Sequence, residues 1–137
     1  MDLKSAIETS VSGMHSQGTR MRIIAENIAN AQSTARDANG DPYRRRVVSF
    51  ANEVDRASGA KLVTVRGVEE DKADFETVYD PAHPAADPNG YVKMPNVNAL
   101  IETMDMKQAQ RSYEANLAAV KASQNLMVRT IDLLNTR

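Results

Sequence analysis

The chain is expected to be mainly α, with N- and C-terminal helices forming an α-helical coiled coil and a small β-rich insert and a proline-rich extended strap between them. Three observations point there. Apolar residues recur every seven positions near both ends of the chain. Stretches rich in β-branched residues lie between those ends. Four of the five prolines crowd into "YDPAHPAADPNGYVKMPNVN", residues 79–98. The divisions that follow are residues 1–34, 35–78, 79–96 and 97–137, the first pairing with the last.

In the first division, Ile7, Met14, Met21 and Ile28 stand seven apart, with Leu3, Ile24 and Ala31 on an adjacent row and Val11 and Ala25 on the other side. No proline interrupts residues 2–36, so one helix over Leu3–Ala31 is expected, roughly 43 Å long. Ser10 and Gln17 break the seam. Gly13 and Gly18 each cost about 1 kcal/mol inside a helix, and each lets another backbone come close.

The insert opens on turn chemistry, "RDANGDP" (Arg36–Pro42), with Asn39-Gly40 as the punctuator. "RRRVVSF" (Arg44–Phe50), "KLVTVRGVEE" (Lys61–Glu70) and "FETVY" (Phe75–Tyr79) have strand composition. In a strand, Arg44 and Arg46 point one way and Arg45 the other. They are expected to pair with carboxylates or to face solvent.

The strap carries Tyr79, Asp80, Pro81, His83, Pro84, Gly90, Tyr91, Met94, Pro95 and Asn96. Its prolines stiffen it, Asn89-Gly90 turns it, and Tyr91, Val92 and Met94 anchor it. Asp80, His83 and Asp87 offer oxygen and nitrogen ligands, but an extended backbone would splay them apart, which disfavours a metal site. Asn96 or Asn98 then caps the last helix, expected over Val97–Leu134. Its seam is Met106, Tyr113, Val120, Met127 and Leu134, flanked by Leu117 and Ile131 on one side and Ala109 on the other. Gln110 and Gln124 break it.

Composition bounds the function. Of 137 residues, 42% are hydrophobic but only 4% aromatic, with no Trp. That suits helices packed along seams better than one large core. A net charge of −1 gives no field to recruit nucleic acid or anionic lipid, and the three arginines are too few to make such a patch. The absence of cysteine rules out disulfides and thiolate sites. No apolar run approaches the roughly 20 residues of a membrane span. "MDLKSAIETS" lacks the features of a cleaved signal, so any export is expected to need none. No GxSxG, P-loop or HExxH motif is present. Glu8, Glu26, Glu102 and Glu114 read as isolated, solvated helix carboxylates. An enzyme is not expected, nor a cofactor.

"SGMHSQGTRMRIIAENIANAQST" (Ser12–Thr34) resembles the N-terminal signature of bacterial flagellar axial proteins, the rod and hook family. Its most specific residues are Glu26, Asn27, Ile28, Ala29, Asn30, Ser33 and Thr34. "RSYEANLAAVKASQNLMVRTIDLL" (Arg111–Leu134) resembles the family's other terminal helix. The short chain and the proline stretch, continued by "IETMDMKQAQRSYEAN", look most like members that build the proximal rod; Thr103 departs from that pattern.

The resemblance implies a structural subunit whose terminal helices line a hollow, torque-transmitting tube in the basal body, crossing the periplasm in Gram-negative bacteria. Implied partners are copies of itself, other proximal and distal rod subunits, the rod-to-membrane-ring adaptor and the flagellar type III export apparatus. Asn27 and Asn30 would hydrogen-bond across helices, and Ala29 and Ala31 would permit close approach. The alternatives are a soluble coiled-coil adaptor or export chaperone, an ordinary two-helix hairpin supporting the insert, and a hydrolase or metal-binding enzyme around Asp80, His83 and Asp87.

Overall fold

The computed structural model describes residues 2–135. Its elements run α1 (Leu3–Ala29), β1 (Arg46–Val54), β2 (Lys61–Glu70), β3 (Glu76–Tyr79), β4 (Tyr91–Met94) and α2 (Ala99–Asn135). About half the chain is helix and a fifth strand, so the fold is mainly α. Among the described residues no helix is long and apolar enough to cross a membrane.

Local chemistry sets the helix ends. Asp2 caps α1 by accepting the Ser5 amide on Oδ1 at 2.6 Å. At the other end Asn30 donates its side-chain amide to the Glu26 carbonyl at 2.9 Å and stops the helix there, two residues short of the expected Ala31. Of the two candidate caps for α2, Asn98 does the work. Its Oδ1 accepts the amides of Leu100 at 3.0 Å and Ile101 at 3.3 Å.

The chain divides into two compact units. Of the described residues, the first comprises 2–21, 48–67 and 107–135. Here β1 and β2 are hydrogen-bonded neighbours joined by a tight turn. Asp55 Oδ2 accepts the Ser58 amide and hydroxyl, and Gly59 takes φ 70°. Strand β2 lies on α1: Ser16 donates to the Val63 carbonyl at 2.9 Å, and the Val63 amide donates to Ser12 Oγ at 3.1 Å. Helix α2 runs antiparallel to α1, with Gly13 against Asn116 and Arg20 Nη2 3.4 Å from Gln108 Oε1.

The second unit comprises residues 22–47 and 68–106. Its hairpin pairs Tyr79 with Tyr91, Val78 with Val92, Thr77 with Lys93 and Glu76 with Met94. The proline stretch is therefore not one extended strap. Residues 81–90 turn back on themselves and Tyr91–Met94 return as a strand. The reason is local: prolines fix φ at values that turns also use, and side chains cap each turn. Asp80 Oδ1 accepts the Ala82 amide, while Asp87 Oδ1 accepts those of Asn89 and Tyr91. Gly90, at φ 86°, completes the reversal. The strand expected at Arg44 begins instead at Arg46.

Candidate functional site

Within the second unit the most specific part of the signature is built into a buried polar knot. Asn27 is 1% exposed and its side chain is fully engaged. Its Nδ2 donates to the Arg46 carbonyl at 2.8 Å and to Glu102 Oε2 at 3.0 Å. Its Oδ1 accepts the Tyr43 hydroxyl at 2.8 Å and the Arg46 amide at 2.9 Å. Glu102 is 0% exposed, and its other oxygen accepts from Arg45 Nε. The solvated carboxylate expected at Glu102 is thus corrected. Glu102 lies four residues before Met106 and seven before Ala109, on the row the heptads bury, and that spacing was the signal for it. Glu26 is not isolated either: it pairs with Arg22 at 2.6 Å and Arg46 at 3.0 Å.

The three arginines reach three places. Arg44 covers the Phe75 ring at 4.1 Å and donates to the Asp71 and Ala73 carbonyls. Arg45 also reaches Asp71 at 3.3 Å and Asp105 at 3.5 Å. Asn96 closes the ring, accepting the Arg45 amide at 2.7 Å and donating to the Asp71 carbonyl at 3.0 Å. Burial acts to lower the Arg45 pKa, but hydrogen bonding and charge from Glu102 and Asp71 outweigh it and hold the guanidinium above its ordinary value. The Ala73 amide, with Arg45 adding to it against partial burial, holds Asp71 below the usual carboxylate range. Burial pushes the Tyr43 hydroxyl up. Charges so compensated position the segments that carry them.

Asp80, His83 and Asp87 are spent on structure. The carboxylates cap turns as described. His83 Nδ1 accepts the Ala85 amide at 3.0 Å, so the neutral ring carries its proton on Nε2 and donates it to Thr34 at 3.3 Å. Among the described residues, no group of three or more His, Cys, Asp or Glu could hold a metal ion. Tyr79 and Tyr91 stack edge-on at 5.3 Å. Val92 and Pro95 are buried, and Met94 is partly so. Of the remaining signature residues, Ser33 donates to Asn30 Oδ1. Asn30 bonds to its sequence neighbours Glu26 and Ser33, while Ile28 and Ala29 are exposed.

In the first unit the heptad rows are only partly covered. Leu3, Ile7, Met14 and Met21 are half-buried, as are Tyr113, Leu117, Val120 and Met127, whereas Ile131 and Leu134 are 51% and 73% exposed. In the second unit Ile24 is buried at 5%, Met106 is half-buried and Ile28 is 37% exposed. Gly13 and Arg20, which face α2 in the first unit, lie one position off the methionine row. Ser12 and Ser16 bond to β2 and share a face with the buried Ser5, a face that carries no apolar heptad signal. Carried back along α1, the antiparallel register brings Leu3 about level with Leu126. The end of α2 therefore runs on past its partner helix, by roughly 13 Å at the helical rise.

The chain is similar to named proteins along nearly its whole length. A flagellar basal-body rod protein FlgC of Agrobacterium fabrum is 51% identical over 132 residues, covering 96% of this chain and 95% of that one. The FlgC of Salmonella typhimurium is 38% identical, covering 97% and 98%. That of Bacillus subtilis is 34% identical, covering 93% and 95%. A family model described as flagellar basal body rod FlgEFG protein C-terminal matches residues 89–133, which hold β4 and most of α2. With partial helical rows, a saturated polar knot and this similarity from end to end, the chain belongs to the FlgC family of flagellar basal-body rod proteins, whose role is structural and not enzymatic.

Proposed function

We propose that this rod subunit works in the proximal rod by completing its helical rows against neighbouring subunits. Both terminal helices then stand in a coiled-coil layer around a hollow, torque-bearing shaft that also carries export traffic. The proposed partners are copies of itself, other proximal and distal rod subunits and the adaptor joining the rod to the membrane ring. The flagellar type III export apparatus would deliver the chain without a cleaved signal, to a rod that crosses the periplasm in Gram-negative bacteria.

The observation that carries this is the apolar surface left open on the helices. Val11 is 49% exposed, Leu126 53%, Ile131 51%, Leu133 74% and Leu134 73%. Burying one such side chain is worth roughly 1.5–3 kcal/mol, and a lone protomer forgoes it. The sites proposed for assembly remain Leu3, Ile7, Met14, Met21, Ile24, Ile28, Met106, Tyr113, Leu117, Val120, Met127, Ile131 and Leu134.

Met21→Asp or Met127→Asp is expected to abolish rod assembly and swimming, because a carboxylate in an apolar seam lacks a partner. Motile cells with normal rods would refute the proposal. The same open faces would serve a soluble adaptor or export chaperone. A secretion assay separates the two, since retention in the cytoplasm favours the adaptor.

A further inference from the structure

A glycine inside a helix lowers its stability relative to alanine, so each one in α1 asks for a physical reason. Gly13 has its reason in the protomer: a Cβ there would stand 2.8 Å from Asn116 Nδ2. Gly18 has none, since a Cβ there would meet nothing within 4 Å. Its neighbours along the helix surface are telling. Ile7, Val11, Met14, Gly18 and Met21 follow one another at alternating spacings of four and three, a single row on one face. That face is turned away from Ser12 and Ser16, which hold β2, and Val11 on it is 49% exposed. An apolar row with such a notch accepts a second helix at short interaxial distance.

We propose that Gly18 is the crossing point for a helix of a second copy of this chain, and that this helix is the end of α2, residues 126–134. The inference rests on the rod-subunit proposal above and gives it a specific contact. The chain itself supplies the complementary piece. Leu126, Val128, Ile131, Leu133 and Leu134 are all more than half exposed, on a helix end that runs past its own partner. The two surfaces lie on different helices, so the contact is heterologous. Each copy offers the notch to one neighbour and the helix end to another, and such contacts propagate where a self-complementary patch would close into a pair. One helix crossing also falls well short of the roughly 1,200–2,000 Å² of a stable complex. The contact therefore holds only inside an array, and the free chain stays monomeric.

The test separates folding from assembly. With open space around Gly18, Gly18→Ala raises the urea midpoint of the isolated chain. Gly18→Leu leaves the chain folded by circular dichroism but fills the notch, and its incorporation into basal bodies drops severalfold. The chain has no cysteine, so co-producing Val11→Cys and Leu133→Cys chains gives a clean crosslinking background. Oxidised basal bodies should then yield a disulfide-linked species of twice the chain mass. Normal incorporation of Gly18→Leu together with no such species overturns the contact and leaves the rod-subunit proposal standing. Absence of the wild-type chain from basal bodies sinks that proposal instead.

Discussion

Asn27 uses every hydrogen-bonding position its side chain has, and all four partners belong to its own chain. A signature residue so committed organises the subunit's interior and has nothing left to offer a neighbour. The same holds for Glu102, whose full burial is tolerable only while Arg45 and Asn27 compensate its charge. Arg45→Ala is therefore expected to destabilise the isolated chain by about 3–5 kcal/mol, the usual cost of stranding a buried charge. Arg45→Met combined with Glu102→Leu should lose less than the two single changes together. Urea unfolding of the four proteins measures the coupling. Asp71 adds a pH dependence of definite sign. Its folded pKa lies below the ordinary value, so its stabilising effect is fully present above about pH 4 and is lost as pH falls through the folded value. The raised pKa of Arg45 acts only in strong alkali, outside this window. The stability gap between wild type and Asp71→Asn should thus narrow as the buffer is taken below about pH 4. A gap independent of pH would mean that Asp71 contributes no charge-dependent stability.

At the scale of elements, glycines with positive φ fix the turns. Gly90 sits at φ 86°, and a Cβ there would approach Tyr79 Cε2 to 2.8 Å. Gly59 sits at φ 70° with nothing within 4 Å. Gly90→Ala should therefore lower stability by more than about 1 kcal/mol, whereas Gly59→Asn, which tolerates that φ, should cost only a few tenths. Thermal unfolding ranks the two, and equal losses would contradict the steric argument. The second of these turns was legible in the sequence, since Asn89-Gly90 marks its position. So were both long helices and the bounds of β2, because apolar spacing and β-branched runs are local signals. The strap was misjudged for a physical reason. Pro81, Pro84 and Pro88 fix only φ, and the choice between an extended strand and successive turns rests on ψ, which Asp80 and Asp87 settle by capping amides. The polar knot was hidden because its members are scattered from Asn27 to Asp105. Nothing local announces that Glu102 meets Arg45. The face of α1 that meets β2 in the first unit was missed because serines, not apolar residues, carry it there.

For the whole molecule, the balance of buried and open surface decides how it behaves alone. Among the described residues the buried aliphatic side chains, prolines aside, are Ile23, Ile24, Ala60, Ala85, Val92 and Ala109, half of them alanines, while sixteen large apolar residues are exposed. A chain built this way has little interior of its own, and on the proposed role it would gain stability by docking. The end of α2 shows this most sharply. Beyond about Leu126 it has no α1 beside it, and a free helical end of two to three turns is marginal in water. In dilute monomer the amides of residues 128–135 should exchange with deuterium almost as fast as in an unfolded peptide. Those near Ala109, which is 0% exposed, should be protected. In assembled rods the same 128–135 segment should become protected, because exposed Ile131, Leu133 and Leu134 then gain a covering surface. Peptide-level exchange on both forms tests this directly. Strong protection of the segment in the lone chain would mean that the helix end needs no neighbour, and the open rows would lose their meaning as unfinished interfaces.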